Sequence, residues 1–396
     1  MIRYAASLSQ HPIPVEAVGE CVGEVLERFG SHKPDLVVVF ATEHYVGAMP
    51  DINDAIQKLL EPESLIGCTA AAVAGGGLEV EDGPALSIWA AHWGGGRATT
   101  MHLETVEELD GTRIVGWPED LSARGTLLLL ADPYSFPTSD FLSMANANLD
   151  QLTVIGGIAS AGRGPGGNRL LIDEQQRTHG AVAVLLDERV PTWTAVSQGC
   201  RPIGQPMTIT KSERNVIHQL AGQPAFTRLQ EVAAAMPDEE RELLSNGLHI
   251  GIVVDEHKID FARGDFLVRN VLGANPADGS VTVGEFVEVG QTVQFHVRDA
   301  ISADDDLRIV AGRAIRGRRD ATAALMFTCN GRGRHLFGMP NHDAEVVQEL
   351  GHGYVAMGGM FCGGEIGPVG GKTFLHGFTA SLALFGDEVL VDDDPT

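Results

Sequence analysis

Residues 363 to 374 read GGEIGPVGGKTF and end in the Gly-Gly-Lys-Thr of a phosphate-binding loop. Such a loop needs glycine, four residues, then Gly-Lys-Ser/Thr, because that spacing aims successive backbone N–H groups at the anion. The residue five before Gly371 is Ile366. The loop must also open a helix, yet KTFLHGFTASLALF alternates in the manner of a strand. Spacing and context together argue against an ATPase or GTPase. Chemical interest passes to Glu365, a carboxylate set among glycines in an otherwise apolar stretch, where a merely solvated acid is out of place.

Comparable polar residues accompany two further Gly-bearing stretches. Cys68 and Thr69 follow the glycine of IGC, and Ser160 and Arg163 follow IGG. Cys362 and Glu365 follow MGG, with TCNGRGR adding Cys329, Asn330, Arg332 and Arg334. The glycines are expected at strand ends, turning a corner or leaving N–H groups free for an anion. Ligands of α/β sheets collect outside the carboxyl ends of strands, so these side chains are read as facing a shared crevice. A guanidinium fork grips carboxylate or phosphate, which assigns Arg332, Arg334 and Arg163 to an anionic group and leaves Glu365 for a cationic one. Thr69, Ser160, Asn330 and Asn270 would orient the ligand, and a solvated arginine rim is the competing reading.

Cys68, Cys329 or Cys362, activated by His376 or His44 and a carboxylate, would instead make a cysteine-dependent hydrolase or transferase. Thiols beside apolar strands are more often core, so no catalytic residue is assigned. Among fourteen histidines there is no H-E-x-x-H, and His342 and His352 stand too far apart for one helical face. No metal and no cofactor is expected.

The elements that must position these residues repeat. DLVVVFATEHY, DINDAIQKLL, LIGCTAAAVAGGG and LEVEDGPALSIWAAHW form strand, helix with Asp51 as N-cap, strand with Gly-rich loop, and two strands. The order returns in residues 125–187, with a helix near 138–149, and in residues 321–385, with a helix near 342–350. A fainter fourth copy is read in LHIGIVVDE and the stretch 265–299, without the helix. The expected fold class is therefore α/β: two domains of mixed β-sheets flanked by helices, built from repeated β-α-β-β-β units. The Gly/Pro cluster at 199–206, ahead of a helix near 224–236, sets the domains at 1–195 and 196–396.

Bulk properties agree with a folded chain of that size. It has 396 residues, 44% of them hydrophobic, and a formal charge of −25 that repels nucleic acid and anionic membranes. No targeting segment or membrane-length apolar run is evident, which points to a cytoplasmic protein. Five scattered cysteines without a C-x-x-C pair are expected as reduced thiols.

With these segments in this order, the chain resembles the FIST family over nearly its whole length. DLVVVFATEHY, LIGCTAAAVAGGGLEVEDGPALSIWAAHW and VIGGIASAG resemble a FIST N-terminal domain; GCRPIGQPMTIT, FLVRNVLGANP, FTCNGRGRHLF and GGMFCGGEIGP resemble a FIST C-terminal domain. The resemblance implies a sensory module proposed to bind small ligands, amino acids among the candidates, and implies no established catalysis; an intracellular sensor is the expectation. It also brings in Arg269 and Asn270 of FLVRN. The expected ligand-binding set is Cys68, Thr69, Ser160, Arg163, Arg269, Asn270, Cys329, Asn330, Arg332, Arg334, Glu365 and His376. Many relatives of the family carry a fused output domain, so signalling here is expected to pass through a separate protein partner or an oligomer interface. A ligand-independent interaction scaffold is the other alternative.

Overall fold

The computed structural model describes residues 2–108, 111–258, 260–262, 264–315, 321–351 and 355–387. The chain forms two compact units, one of Met1–Val196, Arg308–Pro368 and Lys372–Thr396, the other of Ser197–Leu307 and Val369–Gly371. The larger unit opens with β1 (Arg3–Ser9) and α1 (Pro14–Phe29). A first segment follows: β2 (Leu36–Thr42), α2 (Met49–Leu60), β3 (Leu65–Ala70), the short hairpin β4 (Val73–Gly75) and β5 (Leu78–Val80), then β6 (Leu86–His92). After β7 (Ala98–Glu108) and β8 (Gly111–Val115), a second segment has β9 (Gly125–Ala131), α3 (Thr138–Asn148), β10 (Leu152–Ile158), β11 (Leu170–Ile172), β12 (Gln175–Arg177) and β13 (Ala181–Leu186), and β14 (Thr192–Ser197) succeeds it.

The smaller unit contains β15 (Arg201–Glu213), β16 (Val216–Leu220), β17 (Gln223–Pro224), α4 (Ala225–Ala235), α5 (Leu243–Asn246), β18 (Leu248–Val253), β19 (Phe266–Asn275), β20 (Ser280–Val283) and β21 (Thr292–Val297). Its strands run in the order β15-β21-β18-β19-β20-β16-β17, and a further pairing of β15 with β16 closes them into an antiparallel barrel. The stretch read as a faint fourth copy is β18 to β21 of this barrel, where β18 and β19 pair antiparallel. Beyond α6 (Ala300–Ile315), the third segment comprises β22 (Ala323–Cys329), α7 (Gly333–Phe337), α8 (His342–Leu350), β23 (Ala356–Cys362), β24 (Glu365–Val369), β25 (Lys372–His376) and β26 (Ala380–Phe385).

In each of the three segments the first two strands are a parallel pair, and the last strand returns antiparallel to the first. The short hairpin between them does not stay at home. The β4–β5 hairpin of the first segment pairs with β23 of the third, β11–β12 of the second with β3 of the first, and β24–β25 of the third with β10 of the second. Three mixed sheets result, β1-β6-β2-β3-β11-β12, β8-β7-β13-β9-β10-β24-β25 and β14-β26-β22-β23-β4-β5. The fold is α/β, and each hairpin covers a backbone edge that its acceptor strand would otherwise expose.

The apolar pattern accounts for the layers. Every residue of β2 is buried; Leu36, Val38 and Phe40 enter a core shared with Leu128, Leu130, Leu325 and Phe327 of the other two sheets, whereas Val37, Val39 and Ala41 face α1 and α2. Period-two alternation with both faces apolar is what a strand covered on both sides requires. In α2 the buried residues Met49, Ile52, Ile56 and Leu60 recur at helical spacing. Asp51 lies in the first turn, and the N-cap position is Ala48 without a side-chain cap; a proline at the helix start takes over the role of setting entry geometry.

Glycine placement also departs from the expectation drawn from sequence. Gly67, Gly156 and Gly359 lie inside β3, β10 and β23, opposite Val39, Leu129 and Met326 in the parallel registers. A Cβ there would stand 2.5, 2.0 and 2.4 Å from the carbonyl oxygens of those partners. The three positions therefore need glycine for close strand approach, and supply no anion loop. Gly370 and Gly371, with φ of 59° and 79°, form the two-residue turn of the β24–β25 hairpin, which is the structural role of the Gly-Gly-Lys-Thr sequence. Among the described residues no helix is long and apolar enough to cross a membrane.

Substituting Gly359→Ala is expected to cost about 1–3 kcal/mol, since the colliding atoms are backbone and cannot rotate away. Gly95→Ala, with nothing within 4 Å of the added methyl, should stay within about 0.5 kcal/mol of the parent when both variants are compared by urea titration.

Candidate functional site

Near the carboxyl ends of β22 and β23 lies a buried polar cluster that includes Arg332 and Glu365, two of the residues singled out from sequence. The Arg332 side chain is fully buried. Its Nε and Nη2 donate to Asp343 Oδ2 and Oδ1 at 2.7 and 2.8 Å, a bidentate pair. Thr328 Oγ1 donates to Asp343 Oδ2 at 2.8 Å, and His342 Nδ1 lies 3.0 Å from Oδ1. The guanidinium packs 5.2 Å from the centre of the Phe337 ring, which stacks on His342. Asp343 sits in the first turn of α8, where the helix dipole favours a negative charge.

Hairpin exchange delivers Glu79 to the same place. Its Oε1 accepts the Ala344 N–H at 3.0 Å at the start of α8, and its own N–H donates to Asn341 Oδ1 at 2.9 Å. Glu365, at the start of β24, is fully buried and accepts from the Thr379 N–H and Oγ1, both at 2.9 Å, through Oε2. One guanidinium thus faces three buried carboxyl groups. Burial opposes ionisation of Asp343, but the charge and hydrogen bonds of Arg332 outweigh it and hold that carboxyl well below the usual range. Burial pushes Glu79 up to about 8, with repulsion from Asp343 adding to it, and pushes Glu365 to about 8 against the Thr379 hydrogen bonds. Near neutral pH the cluster is one ion pair with two largely protonated acids, an arrangement that avoids burying uncompensated charge.

The other residues singled out from sequence are distributed as follows. Cys68 is buried within β3 with Sγ 3.2 Å from Met360 Sδ, and Thr69 Oγ1 accepts the Arg169 N–H at 2.9 Å. Ser160 accepts the Ala71 N–H and donates to the Phe361 carbonyl, tying all three segments together. Arg163 is exposed, 4.0 Å from Glu43; Arg334 is exposed, 3.8 Å from Asp82, while its N–H donates to Glu81. Cys329 is part-buried with Sγ near the Gly331 N–H, Asn330 is exposed, and His376 is buried with Nε2 2.9 Å from the Gly367 carbonyl. In the smaller unit Arg269 Nε donates to Glu285 at 2.9 Å and Asn270 is exposed. His352 lies outside the described residues. Burial raises the thiol pKa of Cys68 and Cys362 far above the ordinary value, so neither is a ready thiolate.

A cleft of about 280 Å³ opens at the carboxyl ends of β9 and β10, and none of the residues above lines it. Its walls are Pro133, Phe136, Pro137, Ile158, Gly363 and Leu375, with Thr138, Ser139 and Asp140 at the head of α3. The loop from β9 is built around buried Asp132, whose carboxylate accepts from Ser135 Oγ, the Tyr134 N–H and Asn168 Nδ2. Gly363 and Leu375 arrive with the exchanged β24–β25 hairpin, anchored where Ile158 exchanges backbone hydrogen bonds with Gly363 and Gly364. Thr138 is only 5% exposed and its Oγ1 has no hydrogen-bond partner among the described residues. The first-turn N–H groups of a helix lack intrahelical acceptors, so this wall favours an anionic or carbonyl oxygen. Sequence reading found the helix near 138–149 and assigned no role to its Pro-Thr-Ser-Asp start.

Three mixed sheets and an antiparallel barrel define an α/β protein of two units. The chain belongs to the FIST family: the FIST N domain matches residues 35–223 and the FIST C domain residues 225–368. Such domains are associated with sensory and signal-transduction roles. An uncharacterized Mycobacterium tuberculosis protein, Rv0628c, is 43% identical over 387 residues, covering 98% of this chain and all of the relative. An uncharacterized Mycobacterium bovis protein, Mb0898c, is 41% identical over 393 residues with the same coverage.

Because the folded chain holds protons at Glu79 and Glu365 that an unfolded chain with carboxyl groups near 4.5 has released, stability should fall as pH rises between those values. Glu365→Gln mimics the protonated acid and is expected to flatten that fall by up to about 1.4 kcal/mol per pH unit, seen by urea titration near pH 5 and pH 8. An unchanged slope would remove Glu365 from this role. Arg332→Ala strands Asp343 and should cost about 3–5 kcal/mol in the same measurement.

Proposed function

We propose that this protein is a sensor of a small amino acid or similar zwitterionic metabolite, bound in the cleft at the head of α3, and that it reports occupancy to a separate protein partner. The observation that carries the reading is the buried Thr138 hydroxyl, left without a partner in a cleft wall that also presents a helix N-terminus. An unpaired buried hydroxyl costs about 1–3 kcal/mol, which a ligand oxygen would recover. The ligand carboxylate would meet the α3 N–H groups and Thr138 Oγ1, its ammonium the Asp140 carboxylate, and its side chain Phe136, Ile158 and Leu375. Loops from two segments form the walls, so closing on a ligand would alter their mutual position, a change that a partner could read. The association of the family with sensory roles supports the same reading.

Arg332 and Glu365, assigned from sequence to the ligand's charged ends, already hold Asp343 and Thr379, so the proposal transfers those two tasks to α3 and Asp140. A thermal-shift screen over amino acids and small carboxylates tests it. Stabilisation by amino acids is expected, about 2.7 kcal/mol when ligand is at a hundredfold excess over Kd. Thr138→Val should weaken it, and Asp140→Asn should erase the preference for amino acids over simple carboxylates. A flat screen favours the ligand-independent scaffold, and an undiminished response in Thr138→Val would move the site elsewhere.

A further inference from the structure

A second group of side chains, outside the cleft and the ionic cluster, lies on the outer part of the second sheet. His102 and Glu104 are two apart on β7, so the pleat puts them on one face. The neighbouring β13 pairs antiparallel with Ala181 opposite Leu103, and His179, just before it, reaches that same face. His179 Nε2 lies 2.6 Å from Glu104 Oε1, and His102 Nδ1 lies 3.8 Å from Glu104 Oε2. One ligand atom from each of the three residues falls within 4.8 Å of the others. We propose that His102, Glu104 and His179 form a binding site for a divalent transition-metal ion, with zinc the best match to two imidazoles and one carboxylate.

Geometry beyond proximity supports this assignment. Tetrahedral zinc with bonds of about 2.0–2.1 Å holds its ligand atoms roughly 3.3 Å apart, a spacing that the existing separations bracket. His102 Nε2 lies 2.9 Å from the His179 carbonyl oxygen. A hydrogen bond donated there leaves the Nδ1 lone pair turned toward the Glu104 carboxylate, two electron-rich groups that a cation would reconcile. Gly180, with φ of 77°, makes the approach possible, because a Cβ at that residue would stand 2.8 Å from His102 Nε2 and 2.5 Å from the Leu103 carbonyl oxygen. Gly180 is itself held on both sides, its N–H donating to Ser135 Oγ and its carbonyl accepting the Asp132 N–H, each at 2.9 Å. The ligands therefore sit on backbone fixed in advance, which lowers the cost of organising them.

Access and charge point the same way. Glu104 and His179 are both substantially exposed, at 43% and 55% of their side-chain surface, so an ion can enter from solvent and retain water at its remaining position. The chain's formal charge of −25 also favours cations over anions near its surface.

Titration of the chelator-stripped full chain with zinc, followed by calorimetry, tests the site. One ion per chain is expected, with cobalt giving visible d–d absorption in place of silent zinc. The His102→Ala/His179→Ala double variant should lose both the heat and the spectrum while keeping the parent circular dichroism, and Glu104→Gln should weaken them without disturbing the fold. Equal stoichiometry and affinity in the double variant would assign the ion to other histidines and overturn the proposal. Absence of any zinc-dependent heat or cobalt spectrum in the parent protein would overturn it as well.

Discussion

The exchange of hairpins among three sheets is the constraint on which the larger unit depends. Each β-α-β segment ends with its second strand exposing a row of backbone groups, and in each case another segment's hairpin satisfies them. The inner faces of all three sheets then share one apolar core, in which Phe40 meets Phe327 edge to face and Trp89 donates to the Ala356 carbonyl. No segment can bury both its edge and its inner face alone, so the three stand or fall together. Close parallel pairing at Gly67, Gly156 and Gly359 is the local condition for this closure.

The proposed site rests on the same exchange, because it moves side chains between segments. Glu79 reaches the head of α8 only because its hairpin joins β23, and Gly363 and Leu375 reach the α3 cleft only because theirs joins β10. Equivalent places in the three segments then diverge chemically. At the third, a buried guanidinium is paired with Asp343, and burial raises the pKa of two nearby acids. At the second, Asp132 organises a loop and leaves an open cleft. A buried ion pair is suited to holding α8 in place, whereas an open cleft at a helix head is where a ligand is proposed to bind.

Much of the fold was legible because it rests on short-range pattern. The all-buried runs of β2, β9 and β22 announce themselves as apolar residues without alternation, and α3, α4 and α8 as helical periodicity between turn signals. Less was legible at the site. A buried Arg332 and an exposed Arg334 are two residues apart and look alike in sequence; only the burial of Asp343 and Thr328 beside the first separates them. Gly-rich strand ends were a natural reading of IGC, IGG and MGG, yet glycine in a strand centre answers to a neighbouring strand, which sequence does not name. His102, Glu104 and His179 escaped for the same reason, since their ligand spacing runs across two strands instead of along one helix.

By itself, then, the sequence determined the family, the α/β class and the exclusion of a phosphate loop, because each is written in residue types a few positions apart. Tertiary structure alone decided which hairpin completes which sheet, which arginine is buried in an ion pair, and where an open cleft remains. The physical reason is that hairpin partners lie a hundred or more positions away, and that burial, which only the folded chain creates, sets the charge state of a carboxyl group even where its partner is near in sequence, as Asp343 is to Arg332.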